Sequence, residues 1–434
     1  MGDLDNFFYP KSVAVIGASN THGKVGNALM LNLKKFKGKV YPINLNEKNI
    51  LGVKAYKSVL EVRDKIDLAV IAIPEQGVYS VLEECGSKGI KNVIIITAGF
   101  GETGNNEGQK KLIQISKKYN IRILGPNNFG NVNPYINLDT SFSKLTPDKG
   151  NIALISQSGA LWVYISQLSL GNFGFSIFSS LGNMIDVDFA DIIDYLNNEK
   201  NTKAIVCYIE TLKDGKRFME VCRKSKKPII AIKAGATKAG QKAALSHTGS
   251  LAGEIEIYKA AFKQCGVHFA ETVEDAFDKA QFLVDQELKG KKTVIITNGG
   301  GLGVLCADYC SKNNLEIVKL SETLIKHLDL SHNWSRNNPI DLVGDADENK
   351  YREIFLKLEE NHFFDNVIVI LSQQEMIDVF KVSKEIVDFR KRSKKNVVCC
   401  LVGIGDNIDK AKKLLKENGI MSFFEPERCA KVLS

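Results

Sequence analysis

A lone histidine, His247, stands in the run Lys242-Ala-Ala-Leu-Ser-His-Thr-Gly-Ser-Leu-Ala-Gly253, a loop of small and flexible residues between two stretches of alternating strand and helix pattern. An imidazole in such a loop has room to react, and near neutral pH it can serve as base, acid or nucleophile. A loop histidine is also commonly a surface or capping residue, so its meaning depends on its company. Upstream lie several glycine-rich or small-residue turns, each directly after a β-branched run and before a helical pattern. Turns of that kind present backbone N–H groups to anions, so the chain reads as built to hold phosphate.

The elements that must position His247 begin at Gly150. A strand over Asn151 to Ile155 leads into the turn Ser156-Gln-Ser-Gly-Ala160 and then a helix, for which Ser156 and Ser158 are candidate caps. Strands at Ser176 to Ser180, Ala204 to Ile209 and Ile229 to Lys233 alternate with helices beginning near Asp188 and Asp214. The histidine loop follows the last of these strands. Glu210 ends the strand before it, so it lies at the same carboxyl edge. From there it could accept a hydrogen bond from one imidazole nitrogen, fixing the tautomer and leaving the other nitrogen nucleophilic, or be simply solvated.

An earlier α/β unit precedes this one. Ser12-Val-Ala-Val-Ile-Gly-Ala-Ser19 reads as a buried strand, and a helix follows from about Val25 after the turn Gly17-Ala-Ser-Asn-Thr-His-Gly-Lys-Val-Gly26. Further strands are expected at Lys39 to Asn44, Ile66 to Ile73, Asn92 to Thr97 and Ile121 to Leu124, which makes a parallel doubly wound sheet the natural assembly. The turn is not G-x-G-x-x-G, and Asn44 and Asn46 stand where a dinucleotide fold would place an acidic ribose ligand. A longer turn carrying Lys24 suits a larger phosphate group, with that lysine as a point charge; a tight structural turn with a solvated lysine is the alternative. The turns Thr97-Ala-Gly-Phe-Gly-Glu102 and Gly125-Pro-Asn-Asn-Phe-Gly130 converge on the same edge.

Composition limits the classes. At 434 residues, two to four domains are expected at roughly 150 residues each. The formal charge of +8 is spread as isolated lysines and Lys-Lys pairs without an aromatic-interleaved basic stripe, so an anionic small ligand is favoured over nucleic acid. The nine cysteines show no zinc-like or C-x-x-C spacing and read as reduced core thiols, with no metal site. The amino terminus carries no secretory pattern, Gly2 lacks the myristoylation context, and no apolar run approaches ~20 residues. A cytoplasmic protein with no membrane attachment is expected.

Several spaced motifs in one order resemble a known family across essentially the whole chain. They are Val15-Ile-Gly-Ala-Ser19 with Gly23-Lys-Val-Gly26, Gly125-Pro-Asn-Asn128, Ser156-Gln-Ser-Gly-Ala160, Gly182-Asn-Met-Ile-Asp-Val-Asp188, Tyr208-Ile-Glu210, Ser246-His-Thr-Gly-Ser-Leu-Ala-Gly253 and Asn338-Pro-Ile-Asp-Leu-Val-Gly-Asp345. The family is that of the nucleoside-diphosphate-forming acyl-CoA synthetases, in particular the α subunits of ADP-forming acetyl-CoA synthetases, with succinyl-CoA synthetase α as a more distant relative.

The resemblance implies an α/β chain with a Rossmann-like CoA-binding domain over 1–130, a flavodoxin-like ligase domain with a phosphohistidine loop over 150–287, and a third α/β domain over 292–434. It implies His247 as phosphoryl carrier and Glu210 as its orienting carboxylate. Gly17, Ser19, Lys24, Gly26, Asn44 and Pro74 would contact CoA. Asn127, Asn128, Gln157, Ser158 and Gly159 would hold phosphate or phosphohistidine. The substrates implied are CoA, phosphate and ADP or ATP, with Mg2+ accompanying the nucleotide on a partner subunit.

A strand from Thr293 to Thr297 followed by Asn298-Gly-Gly-Gly-Leu-Gly303 opens the third unit, with further strands near Asn366 to Leu371 and Asn396 to Leu401; its glycine turn suits either phosphate or a structural βα turn closing against the partner. Relatives often carry proline where Leu302 stands. Neither an ATP-grasp region nor a Walker G-x-x-x-x-G-K-[ST] is visible, so nucleotide is expected from a separate ATP-grasp β subunit in an α2β2 assembly. The rival in another class is a noncatalytic CoA-sensing regulatory protein of the same fold, against which an intact His247 and Glu210 speak. An NAD oxidoreductase ranks third, for want of the ribose carboxylate.

Overall fold

The computed structural model describes residues 4–242, 254–328, 334–343 and 346–434. Residues 243–253, His247 among them, and the segments 329–333 and 344–345 lie outside the described residues. The chain divides into two compact units, Met1–Ala276 and Phe277–Ser434.

The first unit contains two sheets. Continuous apolar strands, the mark of a parallel sheet covered on both faces, build the first of them: β1 (Ser12–Ile16), β2 (Lys39–Ile43), β3 (Leu68–Ile71), β4 (Asn92–Ile95) and β5 (Arg122–Leu124). All pair in parallel, in the order β2-β1-β3-β4-β5. Helices α1 (Val25–Asn32), α2 (Glu75–Lys88) and α3 (Asn106–Tyr119) connect them. The strand order reverses between β1 and β3, and at such a switch point the flanking loops diverge to open a crevice at the carboxyl edge.

The second sheet adds β6 (Asn131–Asn133), β7 (Leu138–Asp139), β8 (Lys149–Ser156), β9 (Phe175–Ser180), β10 (Ala204–Ile209), β11 (Ile229–Lys233) and β12 (Val267–Ala270) in the order β12-β11-β10-β8-β9-β6-β7. Its helices are α4 (Leu161–Ser169), α5 (Phe189–Asn198), α6 (Gly215–Lys224) and α7 (Ile255–Cys265). As the sequence suggested, α5 and α6 start behind Asp188 and Asp214. Each carboxylate accepts from the N–H three residues on, and Asp188 forms a reciprocal capping box with Asp191.

The β6–β7 hairpin was not expected from the sequence. It pairs antiparallel to β9, and the side-chain amides of Asn131 and Asn133 donate to the carbonyls of Phe7 and Phe8 at 3.2 and 2.9 Å. Those partners lie more than a hundred residues upstream, so no local pattern announces them. One continuous core of buried residues, including Val15, Leu68, Ile155 and Ile205, joins the facing layers of the two sheets.

The second unit is entered through α8 (Val273–Asp285), within which the division between units falls. Its sheet contains β13 (Lys292–Thr297), β14 (Glu316–Ile317), β15 (Ile340–Asp341), β16 (Asn366–Ser372), β17 (Asn396–Val402) and β18 (Met421–Phe423), ordered β14-β13-β16-β17-β18, with β15 also pairing β13. Gly299 is the N-cap of α9 (Gly300–Lys312), so Gly300, Gly301 and Gly303 lie in the helix's first turn, and no side chain caps it. Before it, Asn298 exchanges two 2.8 Å hydrogen bonds with the backbone of Ser372, tying the ends of β13 and β16 together. All nine cysteines are buried, in keeping with core thiols.

Candidate functional site

A cleft of about 1070 Å³ opens where the carboxyl edges of the first two sheets meet. Seven turns at strand ends supply its walls. From the first sheet come Gly17 and Gly23–Gly26 after β1, Ala72–Pro74 after β3, Thr97–Glu102 after β4 and Asn127–Phe129 after β5; from the second come Gln157–Ala160 after β8, Gly182–Met184 after β9 and Glu210–Lys213 after β10.

The β1 turn needs its glycines for two separate reasons. Gly17 has φ +92°, and a Cβ there would lie 2.3 Å from the carbonyl oxygen of Ala72. A Cβ on Gly26 would lie 1.9 Å from the carbonyl oxygen of Gly17. Without side chains at both positions, α1 seats its amino terminus directly against the strand end, as phosphate-binding turns require. Lys24 is exposed at the N-cap position of α1 and lines the cleft.

Two of the expected CoA contacts help to shape the turn itself. Asn44 donates to the Ala18 carbonyl at 2.8 Å and accepts from the N–H groups of Asn46 and Glu47, while the Ser19 hydroxyl accepts from Thr21 N–H at 3.0 Å. Neither residue is among those lining the cleft. Both side chains are occupied in shaping the turn, a use open to any short polar side chain next to free backbone groups.

The β5 and β9 turns interlock. Asn183 N–H donates to Pro126 O at 2.9 Å, and a Cβ on Gly182 would sit 2.2 Å from that oxygen. Asn128 is 3% exposed; its amide donates to Ser180 O, and its carbonyl accepts from Gly130 N–H at 2.6 Å. Glu102, which the sequence reading left unassigned, spans the same junction by accepting from the N–H groups of Gly99 and Phe100 and from the Asn183 amide. Burial pushes its carboxyl up, but the hydrogen bonds from Asn183 and the two N–H groups outweigh this and hold it below the ordinary glutamate value.

On the opposite wall, Gln157 Oε1 accepts from the N–H groups of Glu210 and Thr211 at 2.7 and 2.9 Å, locking the β8 turn to the β10 turn. Ser156 and Ser158 do not cap α4: the Ser156 hydroxyl donates to Ser158 O at 2.7 Å, and the N-cap residue, Ala160, contributes no side-chain bond. The residues leading into α4, Ser158–Ala160, line the cleft, and the helix amino terminus has no side-chain cap, so its positive end suits an anion there.

Two lysines here went unnoticed in the sequence. Lys233, 4% exposed at the end of β11, has its ammonium 4.7 Å from the ring centre of Tyr258; burial lowers its pKa, and the Glu210 charge opposes that shift. Tyr208 feels the same carboxylate: burial, then Glu210, raise its phenol. Lys213 lines the cleft and donates to Met184 O; burial of its ammonium lowers its pKa, opposed by Asp188. The structure thus brings Gly17, Lys24, Gly26, Pro74, Asn127, Asn128, Gln157, Ser158, Gly159 and Glu210 to one cleft. Among the described residues no group of three potential metal ligands occurs.

Comparison with known proteins agrees with this geometry. Residues 11–134 match the model of the CoA binding domain, and residues 149–283 that of the succinyl-CoA ligase like flavodoxin domain. The chain is 44% identical to the Pyrococcus furiosus protein named acetate–CoA ligase (ADP-forming) II subunit alpha, over 98% of this chain and 96% of that one. This chain belongs to the ADP-forming acetate–CoA ligase family. It is 46% identical to an ADP-forming acetate–CoA ligase of Methanocaldococcus jannaschii, covering all of this chain but only 62% of that relative's length. Among solved structures it superposes with a TM-score of 0.88 on an acetyl-coenzyme A synthetase from Ca. Korarchaeum cryptofilum described as in complex with phosphate and ADP, at 37% identity over 100% of this chain and 96% of that one. The family's mixed α/β architecture, a CoA-binding domain followed by a flavodoxin-like ligase domain, is the one described above.

Proposed function

We propose that this chain is the α subunit of an ADP-forming acid–CoA ligase. The observation that carries the reading is the convergence of two phosphate-type turns, after β1 and after β8, on one cleft beside Glu210. The β1 turn with Lys24 suits the nucleotide end of CoA, whose pantetheine arm would run past Pro74 toward the β8 turn. The β8 turn and the start of α4 suit inorganic phosphate.

In the proposed sequence, a phosphate oxygen attacks the thioester carbonyl carbon. The C–S bond breaks, the CoA thiolate takes up a proton, and an acyl phosphate remains. A nitrogen of His247 then attacks phosphorus, releasing the carboxylate and leaving a phosphohistidine. Finally ADP takes the phosphoryl group to become ATP and the imidazole is regenerated. Glu210 is the carboxylate that orients the imidazole. Such transfers need positioning and charge stabilisation more than covalent help, which backbone N–H groups, a lysine and one carboxylate can supply. Asn127 and Asn128 act by shaping the cleft wall, and Gln157 by holding Glu210.

The nucleotide and its Mg2+ belong in this reading to an ATP-grasp partner; two relatives are themselves named α subunits, and the longer M. jannaschii relative carries further length beyond this chain's match. An α2β2 assembly and a cytoplasmic setting complete the proposal; among the described residues no helix is long and apolar enough to cross a membrane. The test is calorimetry and turnover side by side. The purified chain should bind CoA but form ATP from acetyl-CoA, ADP and phosphate only when mixed with an ATP-grasp subunit. Turnover by the single chain would refute the division of labour, and failure to bind CoA would refute the ligase reading.

A further inference from the structure

The cleft's anion turn touches an aromatic wall that neither the motifs nor the family comparison assign. Phe129 packs its Cβ so close to Gly159 that a side chain at 159 would begin 2.4 Å from it. On Phe129 lies Phe142, with ring centres 4.1 Å apart and planes tilted by 45°. Both residues line the cleft.

Phe142 is held there by a dense set of hydrogen bonds. The Asn32 side-chain amide, at the end of α1, donates to the carbonyls of Ser141 and Ser143 at 2.7 and 2.8 Å, one on each side of the phenylalanine. Ser141 donates through its N–H and its hydroxyl to the buried carboxylate of Asp139 at 2.9 and 2.7 Å. Ser143 N–H donates to the Ser141 hydroxyl at 3.2 Å, and Leu145 N–H to the Ser143 hydroxyl at 3.1 Å. Thr140 N–H donates to Asn131 O at 2.9 Å, and a Cβ on Gly130 would lie 2.1 Å from Thr140 O, so the Phe129 turn and the Phe142 loop cannot drift apart. A loop that only covered a core would not need both flanking carbonyls clamped by one amide; this one fixes the position of a single ring.

Phosphate can attack a thioester carbonyl only from about 3 to 3.5 Å. With phosphate at Ser158–Ala160, the acyl substituent must start within a few ångströms of Gly159, where the aromatic pair stands. We propose that Phe142, seated on Phe129 and clamped by Asn32, sets the length limit of the acyl group and makes short aliphatic acyl thioesters the substrate class of this site. The inference rests on the ligase reading and adds to it a specificity residue. A longer or aromatic acyl group has to displace the ring and, with it, the Asn32 clamp.

The test uses the complex of this chain with its ATP-grasp subunit, assayed in the ATP-forming direction with acetyl-CoA, butyryl-CoA and phenylacetyl-CoA. Phe142→Ala should raise the ratio of kcat/KM for butyryl-CoA over acetyl-CoA by about tenfold or more, the usual worth of a methylene or two of apolar fit. The change should fall on the acyl-CoA terms and leave KM for ADP and phosphate in place. Phe142→Leu should lie between, and carries the test by itself if the alanine variant fails to fold; Asn32→Ala should move the ratio the same way by a smaller factor. An unchanged ratio in the folded variants, or a wild type that turns over phenylacetyl-CoA as well as acetyl-CoA, overturns the inference while leaving the ligase reading intact. A wild-type complex inactive toward all three thioesters overturns the ligase reading itself.

Discussion

Asp139 offers a stability test whose size follows from its surroundings. It is 3% exposed, and burial pushes its carboxyl from 3.8 up to about 6 against the opposing hydrogen bonds from Ser141 and Thr146. At about 1.4 kcal/mol per pH unit, this displacement is worth ~3 kcal/mol in all. Because the folded-state value is raised, the contribution is fully present below pH 3.8 and is lost as pH rises through about 6. Between pH 5 and pH 8 the wild type should therefore lose about 1.4 kcal/mol from this group alone. Asp139→Asn keeps an acceptor for both Ser141 donors, and its amide can donate to the Thr146 hydroxyl, so it imitates the protonated acid and should not show that loss. The chain has two tryptophans, and Trp162 stacks on Phe178 at 4.1 Å in the same sheet's flanking layer. In a Trp334→Phe background, urea unfolding followed by Trp162 fluorescence reports the relevant unit. The stability of Asp139→Asn relative to its parent should climb by about 1.4 kcal/mol from pH 5 to pH 8. Parallel curves would show that the Asp139 environment does not raise its pKa.

Gly26→Ala should cost stability at the upper end of the ~1 to 3 kcal/mol range for overpacking, because its Cβ meets the Gly17 carbonyl at 1.9 Å; calorimetry should also show weakened CoA binding, and a variant normal in both would contradict the close seating of α1. Glu102→Gln should lower stability by about 1 to 2 kcal/mol at pH 7, since one oxygen that accepts from Asn183 becomes a donor. Its folded-state value is depressed, so the difference should be present above pH 4.5 and fade as pH falls through that lower value; a pH-independent difference would remove the carboxylate from the junction.

Much of the scaffold was legible because buried parallel strands write themselves as unbroken apolar runs. Strands β10 and β11 have the expected ends, and Asp188 and Asp214 are caps because a carboxylate before a helix has a local partner three residues on. Residues whose partners are distant were not legible. Glu102 follows a glycine turn and looks like a solvated carboxylate until Asn183, 81 residues later, is brought beside it. The β6–β7 hairpin depends on the carbonyls of Phe7 and Phe8, and Phe142 gains its meaning from Asn32, more than a hundred residues upstream. Ser156 was over-read as a helix cap for the converse reason: a short polar side chain in a small-residue turn satisfies neighbouring backbone, as the side chains of Ser19 and Asn44 also do in theirs. Gly17, Gly26 and Gly159 line the cleft at points where a side chain would collide with a neighbour.

Covalent labelling shows whether phosphate passes through His247. The purified chain is incubated with labelled acetyl phosphate, or with labelled ATP and the ATP-grasp subunit, and the protein-bound phosphate is examined for lability in acid and stability in base. Wild type should take up label of that character, His247→Ala none, and Glu210→Gln label more slowly with folding unimpaired. An unlabelled wild type that still binds CoA would contradict the account and favour a noncatalytic CoA-sensing role; label that persists in His247→Ala would place the carrier on another residue.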